Sequence, residues 1–302
     1  MNNIRTKQVI DLLRKTYPHA KIVLNYGNNW ELLVSVILSA QCTDKKVNEV
    51  TSVLWKKYRS SKFKAQNAKL QLKVKSLEER EILNFSSVSL SELEQDVRST
   101  GFYHNKAKNI QGAARKILGN FGGKIPRTMD EMLTVPGVAR KTANIVLGNA
   151  YGIISGIAVD THVQRVTQRL RLVNPEEVGP AKKPLFFVKN SQVIPAKAGI
   201  YTNHRNRFRV KQFDCLLESE SRSRRPELTA EGPGMTTDSK LLDYYKDASP
   251  EKIERKLMNV IPKEDWFRFI YWVIEHGRAI CKAQKPTCEI CPLQKFCPAS
   301  RI

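Results

Sequence analysis

No run of the sequence is apolar for long enough to cross a bilayer: the longest, around Leu32 to Ala40, falls far short of the roughly 20 residues a span requires. The N-terminus, MNNIRTKQVIDLLRK, has no signal-peptide hydrophobic core. Both absences predict a soluble, unexported protein with no membrane partner. Cysteine is scarce too. Six are too few for a disulfide scaffold, yet Cys281, Cys288, Cys291 and Cys297 share one short stretch, which predicts a metal centre in a reducing compartment. Acidic residues are in deficit, 29 Asp+Glu against 51 Lys+Arg, for a formal charge of +22 over 302 residues. Strand-like alternation is missing outside residues 178–247, so the expected fold is all-α. The apolar fraction of 41% argues against wholesale disorder, and the length suggests about two domains.

A cationic excess of this size favours polyanionic partners, because each Lys or Arg placed on a phosphate releases condensed counterions. On charge alone, nucleic acid and a solvated basic surface are equal readings. Along the chain, residues 4–16 and the run beginning NNWELLVSVILSAQ read as helices, the second apolar enough to be buried. Residues 55–81 turn basic and weakly periodic, so an inserted helix or exposed excursion is expected there. Helical periodicity resumes from Ser89 to Leu118, with a turn at Gly101 to Tyr103. Between about 178 and 247 prolines, glycines and charge clusters replace any sustained period, predicting a disordered or loosely folded insertion that loops out. Ser249 then caps a returning helix, and DWFRFIYWVIEHGRAIC leads into the cysteines.

Three motifs carry chemistry. Leu133 to Lys141, LTVPGVARK, has the form of a helix-hairpin-helix turn, whose exposed backbone N–H groups at a helix start suit a phosphate; a structural corner is the plainer reading. Lys141 falls in the first turn of the second helix beside Arg140, where the positive helix end and a neighbouring cation both disfavour its ammonium form. A neutral amine can form a Schiff base; an isolated lysine more simply contacts phosphate. Asp160 stands at the next helix start, able to stabilise developing positive charge or to cap the helix. The cysteines read C-x6-C-x2-C-x5-C; with only one C-x2-C pair the spacing leans toward a four-iron four-sulfur cluster, and zinc stays open. Cys42 reads as packing, and Cys215 has no assigned role.

Taken together, ELLVSVILSAQCTD, TGFYHNKAKNI, TVPGVARKTANIVLGNA, IAVDTHVQRVTQRLRLV and the cysteine array resemble the endonuclease III family of base-excision repair glycosylases with abasic-site lyase activity. The resemblance covers nearly the whole chain apart from the two excursions. It implies a six-helix barrel domain over residues 23–155 bearing the hairpin, and a cluster domain over 156–302 joined by the N-terminal helix of residues 1–22. Damaged double-stranded DNA would lie in the cleft between them. It further implies Lys141 as nucleophile, Asp160 as its acidic partner and the four cysteines as ligands of a 4Fe-4S cluster. DNA contacts would come from Gly137, Ala139 and Arg140 in the hairpin, from Lys282 and Lys285 in the cysteine loop, and from Gln41 and Phe102 filling the gap left by an extruded base. The implied enzyme releases oxidised pyrimidines, then cleaves the strand by β-elimination, as a cytoplasmic monomer. Ala139 stands where the family hairpin commonly has a second glycine; a left-handed conformation there would weaken the hairpin. An adenine mismatch glycosylase shares the scaffold but lacks the lysine, and a non-catalytic iron-sulfur or zinc DNA-binding protein is the reading from another class.

Overall fold

The computed structural model describes residues 3–60, 76–179 and 244–302. Among them there is no strand, and the elements are α1 (Asn3–Thr16), α2 (Asn29–Leu38), α3 (Asp44–Tyr58), α4 (Leu77–Ser87), α5 (Leu90–Val97) and α6 (Tyr103–Phe121), then α7 (Met129–Leu133), α8 (Arg140–Tyr151), α9 (Thr161–Arg169), α10 (Pro175–Val178), α11 (Pro250–Val260) and α12 (Trp266–Ala279). Short polar side chains start most of them. Asn28, Thr43, Ser76, Ser89, Thr128, Asp160, Asn174 and Ser249 each accept a first-turn N–H, satisfying donors that have no intrahelical partner.

Two hydrophobic cores result. In the first, α2 is buried on every side from Trp30 to Leu38, as its mostly apolar composition favours, and packs against α3, α4, α6 and α8. Tyr58 stacks on Phe85 with ring centroids 4.1 Å apart, and Trp30 meets the same ring edge-on at 5.5 Å. Truncating Phe85, fully buried, to Ala costs about 3–5 kcal/mol. The second core gathers α1, α9, α11 and α12 through Val9, Leu13, Val166, Leu257, Phe269 and Trp272. The cores meet where α8 approaches α12: a Cβ on Gly148 would collide with the Phe267 ring, and Asn149 Nδ2 donates to the Tyr271 hydroxyl at 2.7 Å. Glycine there permits the close approach.

Both expected excursions are narrower than the sequence suggested. Trp55 and Tyr58 close α3 with buried rings, and Glu81, buried within α4, pairs with Arg59 at 2.9 Å. The 55–60 run is basic, but its aromatic rings belong to the core, and tertiary packing overrides a local charge run. The rest of the excursion, 61–75, lies outside the described residues. At the long insertion, Val178 is buried in α10, Tyr245 donates its backbone N–H to Gln168 Oε1 at 3.0 Å, and Ser249 donates to the Val178 carbonyl at 3.2 Å. Its two edges therefore close on each other; residues 180–243 lie outside the described residues.

Candidate active site and cysteine cavity

The hairpin between α7 and α8 is a tight turn in which Val138 donates to the Val135 carbonyl at 3.1 Å. Gly137 adopts φ +77°, and a Cβ there would stand 2.8 Å from Asn109 Cβ, so conformation and space both demand glycine. Ala139 does not: its φ is −95° and ψ 171°, extended backbone that any residue adopts, and the expected strain is absent. No side chain caps α8. Its first N–H groups therefore face outward, beside the exposed Gly137 and Ala139, as a phosphate-binding turn requires.

Lys141 is exposed in that first turn and has no ion-pair partner among the described residues. Its neighbouring cation is paired: Arg140 Nε donates to Glu254 Oε2 at 2.6 Å, and Glu254 holds that guanidinium above its ordinary pKa. Asp160 takes the capping role. Its Oδ1 accepts the N–H groups of His162 and Val163 at 2.8 and 2.7 Å, capping α9, while Oδ2 has no hydrogen-bond partner among the described residues.

Gln41 and Phe102 share an unusual backbone. Their φ values are +52° and +49°, in the left-handed region that side chains rarely occupy, and both are exposed, Phe102 to 66%. Lys106 supports the second turn from below: 5% exposed, it donates Nζ to the Thr100 carbonyl at 2.8 Å, and burial lowers its pKa. The short helix Arg98–Thr100 packs on α3, which begins just after Gln41, so one contact surface supports both strained turns. Such strain persists only where surrounding packing over-determines it.

Cys281, Cys288, Cys291 and Cys297 line one cavity of about 400 Å3, including its open mouth, together with Arg169, His276 and Pro286. Yet no three metal-binding groups among the described residues converge at single-ion spacing. Burial pushes the Cys291 thiol up to about 11 and raises Cys297. Those thiols ionise readily only against a cationic partner. Tyr17 Oη lies 3.0 Å from His276 Nδ1, and His276 Nε2 lies 3.8 Å from Cys291 Sγ. Burial lowers the His276 pKa to about 4, keeping the ring neutral. Lys282 and Lys285 are exposed on the loop between the first two cysteines.

Several residues of this region escaped the sequence. Arg165 Nε donates to the Cys281 carbonyl at 3.0 Å, and Arg169 donates to the carbonyls of Lys282 and Ala283 at 2.7 and 2.8 Å. Arg5 reaches from α1 to the Phe296 carbonyl. Helix α9 thus carries Asp160 at its start and holds the cysteine loop with two arginines one turn apart. The spacing Arg165-x3-Arg169 on a helix buried from Val163 onward was the available signal. Glu254 had none, because its partners lie more than a hundred positions upstream.

The sequence matches the HhH-GPD superfamily of base excision DNA repair proteins over residues 34–183. Endonuclease III of Synechocystis sp. is 35% identical over 98% of this chain and 93% of its own length. A solved non-covalent endonuclease III–DNA complex aligns at 30% identity and TM-score 0.66, covering 100% of this chain and 97% of that one. A trapped covalent endonuclease III–DNA intermediate aligns at 30% identity and TM-score 0.66, covering 100% and 98%. With the hairpin, the lysine and the cysteine cavity in one all-helical chain, the protein belongs to the endonuclease III family of HhH-GPD base excision DNA repair proteins.

Proposed function

We propose that this chain is a bifunctional base-excision repair enzyme that releases oxidised pyrimidines from duplex DNA and cleaves the resulting abasic site by β-elimination through a lysine imine. The observation that carries the reading is the exposed Lys141 in the first turn of an uncapped helix, at a hairpin fit to hold a phosphate. The trapped covalent complex of the endonuclease III relative supports a covalent route. A monofunctional adenine glycosylase has no use for this lysine.

The chemistry follows from the groups available. A base within a duplex is reached only after extrusion, and Phe102 and Gln41 fill the vacated stack, offsetting part of the unstacking cost. The Lys141 amine, its proton removed, attacks the sugar C1′ as the glycosidic bond breaks, and the base departs with a proton. Oxidation state is unchanged: the bound nitrogen loses one proton, the C1′–O4′ bond breaks with O4′ taking a proton to give the iminium, a proton then leaves C2′, and the C3′–O bond breaks with the 3′ phosphate as leaving group. Asp160 Oδ2 stabilises positive charge developing at the sugar and relays protons. Gly137 and Ala139 present hairpin amides to the backbone.

Cys281, Cys288, Cys291 and Cys297 hold a 4Fe-4S cluster in this reading. The donor set fits: four cysteines line one cavity, and four thiolates are the ligands such a cluster takes. The cluster when bound supplies a structural cross-link for the loop. Lys282 and Lys285 then face DNA phosphates. The first core with residues 23–155 and the second with 1–22 and 156–302 form the two sides of the DNA cleft. No described helix is long and apolar enough to cross a membrane, and we assign the enzyme, as a monomer, to the cytoplasm.

The deciding experiment incubates the protein with duplex DNA carrying one oxidised pyrimidine and adds borohydride, with Lys141→Gln as control. A reduced covalent adduct that disappears in the variant is the expected result. Base release without trapping transfers support to a monofunctional enzyme; binding with neither release nor cleavage, to a non-catalytic DNA-binding protein.

A further inference from the structure

We propose that Glu254 is a positioning residue for the lysine reaction, locking the helix that carries Lys141 to the loop that presents Asp160. The inference rests on the lysine reading above and concerns what aims that lysine. Glu254 lies on α11 and is 5% exposed. Its Oε2 accepts Arg140 Nε at 2.6 Å and its Oε1 accepts Asn144 Nδ2 at 3.0 Å. Arg140 and Asn144 are one turn apart on α8 and straddle Lys141 in sequence. The same carboxylate also presses against the loop after α8, since any Cβ at Gly156 would collide with Oε1. Gly156 stands four residues before Asp160. One buried carboxylate therefore touches both segments that deliver the reacting side chains.

Holding the two cores together does not by itself call for a buried charge. Gly148 against Phe267 and Asn149 against Tyr271 already join α8 to α12. Burying a carboxylate costs several kcal/mol of desolvation, and a hydrophobic pair of similar volume joins helices as well or better. What a two-armed carboxylate adds is direction. It fixes the rotation of α8 about its axis, and residue 141 is offset by only about 100° from residue 140. A rotation that moves Nζ by about 1 Å is enough to cost on the order of a hundredfold in rate.

The test uses the full chain and a duplex with a central abasic site, in wild type, Glu254→Ala, Glu254→Gln and Lys141→Gln. Four quantities are measured: the single-turnover elimination rate at saturating enzyme, borohydride adduct yield, affinity for a reduced abasic-site duplex, and the melting curve with iron content. The Ala variant is expected to slow elimination more than about tenfold, with affinity within about threefold. The Gln variant keeps the acceptor but not the charge, and falls between Ala and wild type. Should Ala fail to fold, the near-isosteric Gln variant decides. A Gln variant that melts like wild type and eliminates at the wild-type rate overturns the inference. So does a loss in either variant that appears equally in affinity and melting, which is the mark of a purely structural contact. If Lys141→Gln still forms the adduct, the lysine reading falls and takes the inference with it. If Lys141→Gln is dead while both Glu254 variants eliminate normally, the inference alone is refuted.

Discussion

Replacing Gly137 by Ala strikes the hairpin at the one position where backbone and space agree that no side chain fits. At φ +77° an alanine pays roughly 1–2 kcal/mol for the left-handed conformation. Its Cβ would also stand 2.8 Å from Asn109 Cβ and 3.1 Å from Cγ, and a Cβ fixed to α6 cannot swing aside as a flexible side-chain end would. Overpacking of this kind adds about 1–3 kcal/mol. If the turn keeps its shape, Gly137→Ala therefore destabilises the protein by about 2–5 kcal/mol, read in chemical denaturation. If the turn relaxes, the start of α8 moves and the loss transfers to DNA affinity, about ten- to a hundredfold in fluorescence anisotropy with a reduced abasic-site duplex. Ala139→Gly is the matched control. At φ −95° it relieves nothing, so affinity stays unchanged, and stability moves little because glycine is no worse than alanine at a helix start. Wild-type stability and affinity together in Gly137→Ala would refute the reasoning, and a tighter-binding Ala139→Gly would restore the strain that the structure denies.

Three further outcomes are expected. Burial beside Glu31 pushes the Glu81 carboxyl up from 4.5 to about 7. The folded state therefore holds a proton that the unfolded chain has released, and stability falls as pH rises from about 4.5 through 7, by on the order of 2–3 kcal/mol; Glu81→Gln removes this decline in melting temperature, and a wild-type curve flat across that window sinks the argument. On the cluster reading, Cys288→Ser should lose iron and loosen the loop whose carbonyls accept from Arg165 and Arg169. Calorimetry should then show the second core melting ahead of the first, and a single unshifted transition in iron-free protein would contradict it. Phe102→Ala, at a side chain 66% exposed, should change stability by less than about 0.5 kcal/mol while slowing damaged-base release; 2-aminopurine fluorescence opposite the lesion reads the extrusion step, and unaltered extrusion would remove Phe102 from it.

The sequence by itself determined the local events. Apolar spacing and polar caps set where helices begin, from Asn28 before α2 to Ser249 before α11, because a cap and its helix lie within four residues of each other. The hairpin, Lys141, Asp160 and the cysteine array were legible for the same reason: each is a short pattern with its chemistry written in residue types. Tertiary structure alone decided whatever depends on a distant partner. It drew the basic stretch around Trp55 and Tyr58 into the first core, where their rings meet Phe85. It gave Arg140 a carboxylate partner more than a hundred residues downstream. It also set Ala139 in extended backbone, since a φ angle follows from how two helices and their turn pack together rather than from which residue a family prefers.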